Sequence, residues 1–203
     1  MSAARLAVPP GRAGRLWLER RLAVARRGAD LLDRKLRILA AELGRLQAAA
    51  AATGQEWEQR CREAERALLR ASLLGGQRSV RLAAGREFAE VTVSYTVTMG
   101  ARHPDGTDCA VPGPATWDGP ALAAARQAHA DALAAAVRHA AASAAVSVIE
   151  AETAATRYRL RAVRDRWIPR LQEALTQVEF VLEEQERADG ARLRQALRQP
   201  RQG

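Results

Sequence analysis

The chain has 203 residues, 32 basic and 23 acidic, for a net charge of +9 and a pI near 11.1. Aromatic residues make up 4% and alanine supplies much of the 48% that is hydrophobic, which disfavours a compact, bulky core and favours a long helical rod. Cys61 and Cys109 have no spacing that suits a zinc site or a redox pair, so a reducing compartment is the simplest setting.

Residues 1–14 read as a flexible arm. Pro9 and Pro10 forbid a helix before them, Gly11 and Gly14 loosen its start, and the arm lacks the apolar stretch of a signal peptide. The first helix is expected over 15–74, roughly 90 Å at 1.5 Å per residue. Its apolar seam is Leu18, Leu22, Ala25, Ala29, Leu32, Leu36, Leu39, Leu43, Leu46 and Ala50, spaced by fours and threes, which keeps one stripe against a partner helix. Gly75-Gly76 reads as the helix stop.

Residues 75–119 form a linker of different character. Ala89, Val91, Val93, Tyr95, Val97 and Met99 alternate with Glu90, Thr92, Ser94, Thr96 and Thr98, the period of a half-buried strand over 87–99. His103-Pro104-Asp105-Gly106 is turn chemistry, and 107–111 supplies a short return strand, giving a small β-hairpin. Pro112, Gly113, Pro114, Gly119 and Pro120 close the insertion.

The second helix is expected over 120–198, with 199–203 as a tail behind Pro200. Its early seam is small: Ala121, Ala125, Ala128, Ala132, Ala135, His139 and Ala142, so a partner backbone can come close. Val146, Ile149, Thr153, Thr156, Leu160, Val163 and Trp167 continue the stripe, and Leu171, Leu175, Val178 and Leu182 extend it. From Val163 to Leu175 three steps of four follow one another, beside Pro169, a stutter that locally unwinds a left-handed supercoil, so a bend or straightening is expected there. No window is expected to approach the ~20 apolar residues of a membrane span, because Arg126, His129, Asp131, Arg138 and His139 interrupt the Ala-rich stretch. The two seams together predict a mainly α fold, a long antiparallel two-helix coiled coil with a small β-hairpin insertion.

Chemistry-bearing motifs are missing from this reading. Gly75-Gly76-Gln77-Arg78-Ser79 lacks the spacing and the lysine of a phosphate loop. His103, His129 and His139 have no ligand-spaced carboxylate or cysteine, and Glu183, Glu184 and Glu186 sit with Arg187, Arg192 and Arg194 as helix surface charge. No catalytic residue, metal or cofactor site is expected. Arginine carries nearly all the positive charge, Lys35 being the single lysine, and it is interspersed with acids, as on a solvated helix surface.

The C-terminal segment resembles the D subunit of the V-type and A-type rotary ATPases. That family carries Thr-x-Arg-Arg-Val-Asn-Ala-Leu-Glu before an Ile-Pro pair. Here Thr156, Arg159 and Ala162 match, Leu160 and Val163 keep apolar character, and Ile168-Pro169 supplies the dipeptide. Leu182-Glu183-Glu184-Gln185-Glu186-Arg187, followed by Arg192-Leu193, is similar to the family's Leu-Glu-Glu-x-Glu-Arg signature. Pro10, Arg12 and the run Gly28 to Leu36, including Lys35, resemble the family's N-terminal helix. Tyr158, Arg161, Arg164, Asp33 and Gly11 depart from the family pattern at surface positions.

The resemblance implies a non-catalytic central-stalk rotor shaft. Its paired helices would enter a hexamer of ATPase A and B subunits, and its hairpin end would face the small F subunit of the stalk and a membrane-sector adaptor. Rotation would couple ATP hydrolysis or synthesis to proton or sodium transport, at the cytoplasmic face, with no direct nucleic-acid or membrane contact. The alternative from periodicity and charge is a basic coiled-coil scaffold or a nucleic-acid-binding rod.

Overall fold

The computed structural model describes residues 6–83, 88–113 and 119–198. In chain order these form α1 (Gly11–Ala83), β1 (Glu90–Thr98), β2 (Ala101–Ala110), α2 (Pro120–Arg161), a π-helical turn (Ala162–Trp167) and α3 (Ile168–Arg198). The fold is thus mainly α, two long helical stretches with an antiparallel hairpin between them. The tail 199–203, the first residues of the arm and the start of the expected strand at Glu87 lie outside the described residues. The chain divides into two units, one comprising the residues up to Lys35 with those from Ala155 onward, the other Leu36–Ala154.

In the first unit the seam of α1 packs on α3. Leu18, Leu22, Ala25 and Leu171 are buried together, and Trp17, Trp167, Ile168, Ala174, Leu175 and Val178 close round them. Leu6 and Val8 pack on the same cluster and α1 starts at Gly11, so the described part of residues 1–14 is tied down instead of forming a loose arm. Burying a Leu side chain stabilises by about 1.5–3 kcal/mol, which offsets the ordering of a short segment.

The phase change in the second stripe has a structural counterpart. A step of four overshoots an α-helical turn by about 40°, and three in succession would carry the stripe about 120° off its partner. Over Ala162–Trp167 the helix widens to a π-turn, the Ile168 N–H donating to the Val163 carbonyl. The wider turn absorbs the overshoot, so Leu160, Leu171 and the half-buried Val163, Trp167 and Leu175 all lie inward. Pro169 follows immediately, where the lost N–H and the ring clash already disfavour regular α-helix.

In the second unit α1 and α2 pack through Leu39, Leu46, Ala145 and Ile149, with Leu43, Val146 and Val148 alongside. Further along, Ala64, Ala71, Ala125, Ala132 and Ala135 are buried, a seam of small side chains. Among the described residues, the stretch Pro120–Leu197 holds an 18-residue window of mean hydropathy 1.5, so it is long and apolar enough to cross a membrane by length and composition. This corrects the sequence expectation. The apolarity comes from alanines, which raise mean hydropathy while serving as small spacers between helices.

Helical geometry breaks at Gly76 (φ 74°, ψ 163°), as the Gly75-Gly76 stop predicts, but a second helical stretch follows it and moves the end of α1 to Ala83. The Ser79 hydroxyl reaches the carbonyls of Gly75 and Gly76, both at 2.8 Å, and so satisfies groups that the break releases. The hairpin turn also moves, from His103-Pro104-Asp105-Gly106 to Met99-Gly100, where both φ values are positive (51° and 88°). That pairing of positive φ values marks a type I′ turn, whose twist suits a two-residue hairpin. The His-Pro-Asp-Gly segment lies within β2 instead, as an irregularity: Ser94 pairs with Gly106 and Tyr95 with Pro104, leaving Asp105 as the extra residue of a bulge.

Between the bulge and the turn the hairpin's buried face is the reverse of the one that apolar alternation predicts: Tyr95, Val97 and Met99 are exposed, whereas Ala101 and His103 are buried opposite Thr98 and Thr96. Beyond the bulge Val93 is half-buried opposite Thr107, and Val91 is exposed. Ala101 enters the Leu39–Ile149 cluster and thereby fixes which face turns inward.

Candidate functional site

Each seam residue anticipated from sequence lies at least partly inward. Leu22, Leu39, Leu46, Leu160 and Leu171 are buried, and Leu32, Leu36, Leu43, Val163, Trp167, Leu175, Val178 and Leu182 are half-buried. Of the family-motif positions, Thr156 is fully buried, Lys35, Ile168 and Pro169 are half-buried, and Arg159 is exposed.

The Leu182–Arg187 segment lies on α3 beside the start of α1. The Arg187 guanidinium donates to Glu183 at 3.0 Å and approaches Glu184 at 3.8 Å, while Arg12 donates to Glu186 at 2.9 Å. Arg15 reaches both Glu19 and Glu179, at 3.0 and 3.4 Å. Arg12, Arg15, Glu19, Glu179, Glu183 and Glu186 line an open groove with Leu16 and Leu182. Their charged groups are largely open to solvent, so each pair contributes little stability, about 0–1 kcal/mol, and serves to match charge along the two helices.

A second constellation lies in the Leu36–Ala154 unit. His139 stacks on Trp57 with ring centroids 5.5 Å apart and planes 17° from parallel. Its Nδ1 lies 3.4 Å from the Thr53 hydroxyl, and Arg138 donates to Glu56 at 2.7 Å. A Cβ on Gly54 would come within 3.1 Å of the His139 ring, so the glycine provides the room for the stack.

The third lies under the hairpin. His103 is fully buried, its Nδ1 3.0 Å from the Pro104 carbonyl and its Nε2 3.1 Å from the Thr98 hydroxyl. A carbonyl can only accept, so Nδ1 carries the proton and Nε2 accepts from Thr98, which satisfies a neutral imidazole. Glu42 is held below the ordinary carboxylate range, first by its hydrogen bond from Arg45 at 2.6 Å and, more weakly, by the charge of Arg45. On the outward face the Arg102 guanidinium sits 4.4 Å from the Tyr95 ring centroid.

The two hydroxyl–imidazole pairs are structural: His103 is fully buried beside Thr98, and the Thr53 hydroxyl lies within reach of the Ala49 and Ala50 carbonyls of its own helix, at 3.0 and 3.1 Å. Among the described residues no group of three or more His, Cys, Asp or Glu side chains could hold a metal ion. Sequence reasoning missed the Trp57–His139 stack, the buried His103 and the Arg12–Glu186 bridge. The stack and the bridge join residues far apart in the chain, whereas the bonds of His103 are local and its burial follows from the register of the hairpin; only the placement of His139 on the seam hinted at one of them.

Compared with protein-family models, residues 16–198 match the family of ATP synthase D subunits. A search of curated proteins found no match.

Proposed function

The chain belongs to the family of ATP synthase D subunits, stalk components of V/A-type ATPases, and from that premise we propose that it is the central rotor shaft. In this reading it is non-catalytic. ATP is hydrolysed or made by a hexamer of A and B subunits that encloses the paired helices, and turning the shaft couples that chemistry to proton or sodium transport. The small F subunit of the stalk and a membrane-sector adaptor bind it nearer the membrane, on the cytoplasmic face.

The family match over nearly the whole chain carries the reading. The paired seams support it mechanically. Knob-into-hole layers such as Leu18, Leu22 and Leu171 in one unit, and Leu39, Leu46 and Ile149 in the other, resist twist because each side chain is held by the facing helix. Torque then needs a rod with unlike sides and no reactive group.

The test is to add the purified chain to A and B subunits from the same source and follow assembly by gel filtration together with ATP turnover. One copy per hexamer with altered turnover supports the shaft. A stable helical rod that neither binds nor changes turnover returns the chain to the scaffold alternative.

A further inference from the structure

The chain's positive charge is concentrated. Residues 20–34 of α1 and 157–170, which span the end of α2, the π-turn and the start of α3, carry eleven arginines against three aspartates. That net charge of +8 nearly equals the +9 of the whole chain. Both stretches belong to the same unit. Every one of these arginines is exposed except the half-buried Arg170, and exposed Val24, Leu31 and Tyr158 lie among them. Arg164 approaches Asp33 at 3.9 Å within these stretches, but three aspartates cannot balance eleven arginines, whereas at the Leu182–Arg187 end of the unit Arg12, Arg15 and Arg187 are each matched by glutamates.

The arginines do not form a single stripe. At about 100° per residue, Arg21 lies about 100° and Arg26 about 240° round α1 from Arg20. A duplex or a bilayer engages one side of a rod at a time and would leave much of such a belt unused. Guanidinium groups distributed round the rod, with apolar side chains between them, fit a protein surface that encloses it and offers carboxylates from several sides.

We propose that this arginine collar is the surface through which the chain is captured by a carboxylate-rich protein wall surrounding it. The inference rests on the shaft reading and adds to it the place and chemistry of the contact. Opposite charge attracts over roughly a Debye length, about 8–10 Å at moderate salt, without fixing one geometry. The contact can therefore persist while the rod changes orientation, and it speeds encounter.

The test measures association of the full chain with a preassembled A and B hexamer from the same source, over a series of salt concentrations. The collar variant replaces Arg26, Arg27, Arg161 and Arg166 by Gln. A control carries the same charge change elsewhere on α1, at Arg60, Arg62, Arg66 and Arg70. A third variant replaces the four collar arginines by Lys, and circular dichroism checks that all remain helical.

The collar Gln variant is expected to associate at least about ten-fold more slowly at low salt, with a shallower salt dependence. The control and the Lys variant are expected within about two-fold of wild type. A collar Gln variant that binds at the wild-type rate with the wild-type salt slope overturns the inference and leaves the shaft reading intact. A wild-type chain that ignores the hexamer but binds duplex DNA or anionic vesicles through the collar overturns both.

Discussion

The backbone N–H of Ile168 donates to the carbonyl of Val163, five residues back, closing a π-turn immediately before Pro169. The turn holds one residue more than α-helix needs there, and its Asp165 is exposed. Deleting Asp165 is therefore expected to leave Leu171, Leu175 and Val178 facing α1 and to shift melting little. Deleting Glu173, in regular α3, rotates everything after it by about 100° and is expected to lower the melting temperature much more. Thermal melts by circular dichroism compare the two, and equal losses would contradict the phase argument.

Burial grades the seam. Leu39 and Leu171 are fully buried, so Leu39→Ala and Leu171→Ala are each expected to cost about 2–5 kcal/mol, measured by urea unfolding. Leu36 is half-buried, so Leu36→Asp is expected to destabilise less than Leu39→Asp, because its carboxylate can reach water.

Gly54 in mid-helix lacks the usual advantage of alanine, about 1 kcal/mol, because a Cβ there presses on His139. Gly54→Ala is expected to be close to neutral in the wild-type chain. In a His139→Ala background the same change is expected to stabilise by about 1 kcal/mol. A double-mutant cycle in denaturant measures the coupling, and additive effects would remove the glycine's steric role.

Met99 holds a positive φ that costs a non-glycine residue about 1–2 kcal/mol. Met99→Asn creates the Asn-Gly pair favoured in type I′ turns and is expected to stabilise the hairpin by about 0.5–1 kcal/mol. Slower hydrogen exchange of the β1 and β2 amides is the readout. Faster exchange would place the turn elsewhere.

Glu42 titrates below its unfolded value because Arg45 donates to its carboxylate. Its contribution is therefore complete above the unfolded carboxylate pKa, about 4.3, and is lost as pH falls through the lower folded value. Melting temperature is expected to fall in that acidic window, and Glu42→Gln is expected to make the fall shallower. An identical pH profile for the variant would show that other carboxylates account for it.

The sequence discloses phase better than partners. The fours and threes from Leu18 to Leu46 identify the inward stripe because a helix repeats its side chains at a fixed angle. The three steps of four from Val163 to Leu175, beside Pro169, likewise mark the place of the irregularity, although they predict a bend or straightening and not the π-turn found there. Periodicity carries no register, so nothing in the sequence places Trp57 against His139 or Arg12 against Glu186. Local turn chemistry misleads at His103-Pro104-Asp105-Gly106: burial of His103 and Ala101 against α1 and α2 draws that segment into β2, and the turn falls to Met99-Gly100. Apolar alternation from Val91 to Met99 is equally blind to which face meets the helices.

The central claim is that this chain turns inside its partners. The direct measurement fixes the A and B hexamer to a surface, attaches a probe to the membrane-side part of the chain, and records its orientation during ATP hydrolysis. The account expects stepwise, one-directional rotation that stops when ATP is withdrawn. A bound chain whose probe keeps one orientation while ATP is hydrolysed would contradict it.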